Sequence, residues 1–187
     1  MSANADNAIY FLVTTLFDLL LWAFLLRILL QWVRADFYNP ISQLIWQVTR
    51  YPADWLRSVV PRWRNLDSAA VLVVFVLAMI YVYLISNLLG FGSQINGLSA
   101  VFYALLKLAV LLVNLYTFTL FIQAILSWVG PGVNNSASNV LWSLNEPLLR
   151  PVRRILPPMA GLDLSPLAVM LVLQVISRLI PLPGIFR

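Results

Sequence analysis

Residues 30–67 read LQWVRADFYNPISQLIWQVTRYPADWLRSVVPRWRNLD, and residues 126–163 read LSWVGPGVNNSASNVLWSLNEPLLRPVRRILPPMAGLD. Laid over each other at an offset of 96 residues, without a gap, they match Leu30 to Leu126, Trp32 to Trp128, Val33 to Val129, Asn39 to Asn135, Trp46 to Trp142, Arg57 to Arg153, Pro61 to Pro157 and Asp67 to Asp163. Identities that hold one register over this length make the chain a tandem repeat. Each copy sets a polar stretch between two long apolar runs, so the repeated unit is a membrane architecture and not a soluble one. The division this predicts is 1–96 and 97–187, each copy with two spans and one interfacial segment, 39–61 and 135–157.

Composition agrees with that class. Hydrophobic residues make up 61% of the chain, charged residues 10%, and mean hydropathy is +0.88, far from a soluble domain. Cys and His are both absent. That removes disulfides, thiolate and imidazole metal sites, and any triad or general base built on imidazole. The net charge of +5 comes from cations beside apolar runs, with no basic tail, which points to anionic lipid headgroups as partner and not to nucleic acid. Met1 to Asn7 lack a basic n-region and a small-residue cleavage site, so the first apolar run is expected to remain as an anchor.

Four runs approach the roughly 20 apolar residues that a helix needs to cross the hydrocarbon core: Ala8 to Val33, Ser68 to Leu89, Ala104 to Val129 and Leu164 to Ile180. The fold class they predict is an all-α membrane protein, four transmembrane helices in two repeats of parallel topology, each a helical hairpin around an amphipathic interfacial helix. Between the copies lies an uncharged link with Gly90, Gly92, Ser93, Asn96 and Gly97, read as a turn. Arg34, Arg50, Arg57, Arg62 and Arg64 follow the first run, and Arg150, Arg153 and Arg154 follow the third. The positive-inside rule puts both clusters in the cytoplasm and both termini outside. Lys107 and Arg178 fall near the opposite face, where long side chains snorkel.

The interfacial segments are too polar to cross and too apolar for ordinary loops. Glu146, Arg150, Arg153 and Arg154 follow an i, i+4, i+7, i+8 spacing that gathers them on one helix face, as in helices that lie at the headgroups. Pro147 suits a first turn, whereas Pro151 predicts a kink or break. Asp163, Ser165 and Pro166 predict a cap for the fourth span, as Asp67 and Ser68 do for the second. At the 96-residue offset Arg50 corresponds to Glu146 and Asp54 to Arg150, so equivalent positions carry opposite signs. Two pairings follow: across the repeats, Arg50 with Glu146 and Asp54 with Arg150, or locally at i, i+4, Arg50 with Asp54 and Glu146 with Arg150.

The run from Asn145 through Glu146, Pro147, Arg150, Pro151, Arg153 and Arg154 to Pro157, with Trp128 and Asn135 before it and Asp163, Leu164, Ser165 and Pro166 after it, resembles the YggT family, also called YlmG. The resemblance covers nearly the whole chain and is most specific in the second copy. The first copy keeps Trp32, Asn39, Arg57, Pro61 and Asp67 but has Trp55 for the central Pro, Ser58 for the second Arg and Arg50 for the acid, and Gln123 stands where an Arg is common. The resemblance implies a multi-pass protein of the bacterial inner membrane with a role in osmotic tolerance or ion, particularly potassium, homeostasis. It also implies, through relatives elsewhere, cell division or the assembly of membrane complexes.

Among individual residues, Asp18 is the hardest to place in lipid, since a carboxylate within a span costs at least roughly 2.5 kcal/mol on insertion scales. Its repeat mate is Asn114, and a polar group at one depth in both copies suits interhelical bonding or a polar pathway. Arg178 or Lys107 are the candidate partners for Asp18. Arg27 and Gln123 complete the polar intramembrane set, and Arg27 reads either as snorkelling or as lining a pathway. Arg57, Arg62, Arg64, Arg153 and Arg154 are expected at lipid headgroups, and the seven Trp residues at the interfaces. The acids are dispersed, so no catalytic constellation, cofactor site or metal site is called for. What remains is a transport component, expected as a homo-oligomer, or a scaffold for other membrane proteins.

Overall fold

The computed structural model describes residues 3–36, 38–57, 60, 67–129, 136–156 and 163–187. The described residues form six α-helices and no strands: α1 (Ala3–Trp32), α2 (Pro40–Arg57), α3 (Ser68–Leu88), α4 (Gly97–Val129), α5 (Ser136–Ile155) and α6 (Ser165–Leu179). A long apolar helix, an amphipathic helix and a second apolar helix thus follow one another twice.

The ends of these helices follow from local chemistry. Asn39 precedes α2 and its Oδ1 accepts the Ile41 N–H at 3.0 Å, with Pro40 in the first helical position, where a missing N–H is harmless. After α3, Gly90 is left-handed at φ +82, and the Gly90 and Phe91 N–H groups return to the carbonyls of Asn87 and Ser86, the Schellman closure. Helix α1 ends the same way: the N–H groups of Arg34 and Ala35 reach the Gln31 and Leu30 carbonyls, but the left-handed residue, at φ +54, is Arg34. A side chain in that conformation costs roughly 1–2 kcal/mol. At the equivalent position the second copy has Gly130.

Helices α1, α3 and α4 pack mutually, and α6 lies against α4. Ala70, Ala78 and Ser86 of α3 and Ala100 and Ala104 of α4 are buried, which lets the backbones approach closely where lipid offers no hydrophobic drive to association. Leu21, Phe24, Val82, Ile85 and Leu115 fill the core between them, and Leu120, Leu149 and Val169 join α4, α5 and α6 in a smaller cluster. Outward, Leu12, Leu16, Leu19, Phe102, Leu105, Phe121, Leu171 and Val175 are exposed. Apolar surface on that scale calls for a lipid or protein environment.

One expectation needs correction. Helix α5 runs unbroken from Ser136 to Ile155 through both Pro147 and Pro151, so Pro147 lies well past the first turn and Pro151 does not end the helix. The two prolines stand four residues apart, so the missing N–H groups fall on one face and the rest of the hydrogen-bond ladder continues. Among the described residues three helices, α1, α3 and α4, are long and apolar enough to cross a membrane, and α6 is a shorter apolar helix. Its 15 residues amount to roughly 22 Å against a core of about 30 Å.

Beyond α6 the chain folds back. Phe186 is buried against Tyr81 and Tyr103, at ring distances of 6.5 and 5.3 Å. The Tyr10 hydroxyl donates to the Ile185 carbonyl at 2.7 Å. Arg187 donates to the Ser177 and Ile180 carbonyls at the end of α6, which suits a cation at a helix C-terminus.

Candidate functional site

Where α1 ends, α2 lies across it and α3 begins, an ion-pair network is built from all three. Arg27 of α1 is only 4% exposed. Its Nη1 donates to Thr49 Oγ1 of α2 at 2.9 Å, and its Nη2 to Oδ2 of Asp67, the residue before α3, at 2.8 Å. Arg57 grips the same carboxylate through Nη2 and, at 3.4 Å, Nε, while its Nη1 reaches Asp54 at 2.6 Å. The Asp67 N–H donates to Gln31 Oε1 at 3.1 Å. Both guanidinium groups lie over the Trp46 ring, at 4.1 and 4.8 Å. Burial pushes the Asp67 carboxyl up, but hydrogen bonds and charge from Arg57 and Arg27 outweigh it and hold the group below the usual carboxylate range. Asp67 occupies the capping position of α3 but makes no side-chain cap, because both its oxygens serve arginines.

The second copy repeats the plan with fewer charges. Arg153 of α5 donates from Nε to Asp163 at 2.8 Å and from Nη1 to Glu146 at 2.7 Å, and lies over Trp142 at 5.1 Å. Asp163 Oδ1 accepts the Ser165 N–H at 2.9 Å beside Pro166, so the expected cap of α6 is made from one residue before its boundary. Burial raises the Asp163 carboxyl, while bonds from Ser165 and Arg153 lower it further than burial lifts it. In place of Arg27 stands Gln123, whose Oε1 accepts from Asn145, which in turn accepts from Thr119, both at 2.8 Å. A neutral hydrogen-bond chain here replaces the buried cation.

Pairing across the repeats is corrected by this geometry. Asp54 is held by Arg57 and Glu146 by Arg153, each within its own copy, whereas Arg50 is exposed over the Tyr51 ring and Arg150 is exposed. Both acids are thus paired with an arginine three or seven residues on in their own helix. A double-mutant cycle on Glu146 and Arg153 is expected to give a coupling on the order of 0.5 kcal/mol. The Arg50 and Glu146 cycle should give none, read from denaturation midpoints.

Within the bundle, Lys107 of α4 is 1% exposed and lies 2.7 Å from Asp18 of α1, close but not aligned as a hydrogen bond. Its Nζ is 3.4 Å from the Tyr81 hydroxyl and 4.5 Å from the centre of that ring. Lys107 therefore does not snorkel, and Arg27 does not either. Asn114 is half-buried beside a groove with Trp22, Thr117 and Gln174. Of the remaining positions read from the sequence, Asn39 is buried, Trp32 and Trp55 are exposed at helix ends, and Arg154 is exposed on α5. Pro61, Arg62, Arg64, Asn135 and Pro157, with the Trp128 side chain, lie outside the described residues. Sequence reasoning missed the role of Asp67 as a clasp. Its signal was present, since Arg57 and Asp67 keep the same spacing as Arg153 and Asp163.

A tandem helical repeat whose copies each tie an amphipathic helix to the next apolar helix through an Arg–Asp clasp defines a class of membrane-type protein. The CCB3/YggT family pattern matches residues 6–88 and again 102–183. The chain belongs to this family. It is 38% identical to the YggT protein of Escherichia coli K12, over 91% of this chain and 88% of that one. It is 40% identical, over 90% of each, to a Vibrio alginolyticus protein from the proC 3′ region, and 35% identical, over 94% of this chain and 89% of the relative, to one from Pseudomonas aeruginosa. These relatives carry no enzyme name. No solved structure matches the chain.

Proposed function

We propose that this is a non-enzymatic, four-pass protein of the bacterial inner membrane that works in ion or osmotic homeostasis as an oligomeric transport component. Its basic helices face the cytoplasm and its termini the periplasm. The observation that carries the reading is the Asp18–Lys107 pair, a buried cation matched by a part-exposed carboxylate between two apolar helices, where ionisable residues mark pathways or relays by default. The groove at Asn114 adds a polar position at the matching place of the second copy. Support for a fourth pass comes from the tail: α6 starts at the Arg153–Asp163 clasp, and Ile185 meets Tyr10 near the far end of α1. Four apolar helices alone make a thin wall for a polar route, so passage requires more than one copy.

Potassium flux into liposomes holding the purified protein tests this. Flux is expected with the wild type, falling at least fivefold in Asp18→Asn at equal folded protein. Absence of wild-type flux favours the second reading, a scaffold for membrane complexes or cell division, which Asp18 being already matched by Lys107 and the broad exposed apolar faces support.

A further inference from the structure

Between α1 and α2 a cavity of about 200 Å³ is walled in part by Arg27, Gln31, Arg34, Ser42, Trp46 and Arg57. Two of these residues carry buried polar atoms without a partner, Nε of Arg27 and Oγ of Ser42, and are themselves 4% and 7% exposed. Unpaired buried donors are costly and rare, and two on the wall of one cavity mark where an acceptor belongs. Arg34 stands at the rim, exposed. Arg57 is held by Asp54 and Asp67 and supplies wall and field.

Charge decides the kind of acceptor. Three arginines line the cavity and two carboxylates, Asp54 and Asp67, are tied to them, which leaves an excess of one positive charge. The partial negative charge at the end of α1, about half a unit, reduces that excess without cancelling it. We propose that the cavity binds a singly charged phosphate group, the phosphodiester of an anionic headgroup or monobasic phosphate. Arg27 Nε and Ser42 Oγ donate to its oxygens and the Arg34 guanidinium closes the rim. Several acceptor oxygens on one centre suit donors that converge from α1, its terminus and α2. At roughly 30 Å³ per displaced water, the space takes the phosphate and its first substituent atoms.

The second copy is not built this way. Gln123 and Gly130 stand for Arg27 and Arg34, and Gln123 Oε1 is already bonded to Asn145. One site per chain follows.

Full-length protein, stripped of lipid in detergent, is titrated with phosphatidylglycerol and phosphatidylcholine under native mass spectrometry, and with inorganic phosphate by calorimetry. A one-to-one complex with phosphatidylglycerol or phosphate is expected, weakened at least tenfold by Arg34→Gly and by Ser42→Ala. Arg50→Gln, an equal charge loss on exposed α2, should move it less than twofold. Arg34→Gly preserves the left-handed closure of α1, so the protein folds without the guanidinium. Saturable phosphate binding assigns a free anion, and lipid binding indifferent to phosphate assigns a headgroup; either supports the site. No saturable binding of either probe, wild-type affinity in Arg34→Gly, or equal weakening by Arg50→Gln overturns it.

Discussion

Replacing Lys107 with Met is expected to lower stability by about 3 kcal/mol, the range for removing one partner of a buried pair, and adding Asp18→Asn should recover most of the loss. Lys107 is 1% exposed, while the Asp18 side chain is 32% exposed, so the two halves of the pair are not equivalent. Asp18→Asn alone leaves a cation in the core with a neutral amide and the Tyr81 hydroxyl and ring for support, and should be at least as damaging as Lys107→Met. Lys107→Met leaves the carboxylate, which is nearer the bundle surface. The cycle is read from unfolding midpoints in mixed detergent micelles. Losses that simply add, with no recovery in the double variant, would show that the two residues do not interact.

Legibility in the sequence followed periodicity and repetition. The apolar runs were readable because crossing helices demand length and composition over many residues. Thus Ser68 to Leu89 was expected and α3 is Ser68–Leu88. Helix α4 starts at Gly97 and not at Ala104, because Asn96 accepts from the Ser99 N–H and hydroxyl, and these bonds carry the first turn into the link. Pro151 misled, since a local rule about missing N–H groups ignores the bonds that hold α5 on either side. Charge pairing was half legible. Lys107 could be named for Asp18 only as one of two cations, with Arg178, but Arg27 joins Asp67 across 40 positions of sequence, a distance over which spacing carries no information. The Asn39 cap was missed although Asn-Pro before an apolar run signals one. The cavity beside Arg34 needed coordinates, because it depends on which polar atoms are left over once the network is made.

Asp67→Asn is expected to be the most damaging single change in the clasp, costing roughly 3–5 kcal/mol. Among the described residues the carboxylate is the only anion that both Arg27 and Arg57 touch, and its side chain is 1% exposed. An amide offers one acceptor oxygen and adds two donors that would face guanidinium groups. Arg57 keeps Asp54, but Arg27, buried in α1, keeps only the Thr49 hydroxyl and the Trp46 face. Acid should reproduce part of this loss. The folded carboxyl lies below its ordinary value of 3.8, so its contribution is complete above that pH and is lost as pH falls through the lower folded value. Asp163 follows the same sign with fewer partners, so wild-type melting temperature should hold from pH 7 to about 5 and fall below about 4. In Asp67→Asn the curve starts lower and the acid fall shrinks to the Asp163 share. If that variant melts like the wild type at pH 7, the clasp does not hold α1, α2 and α3 together.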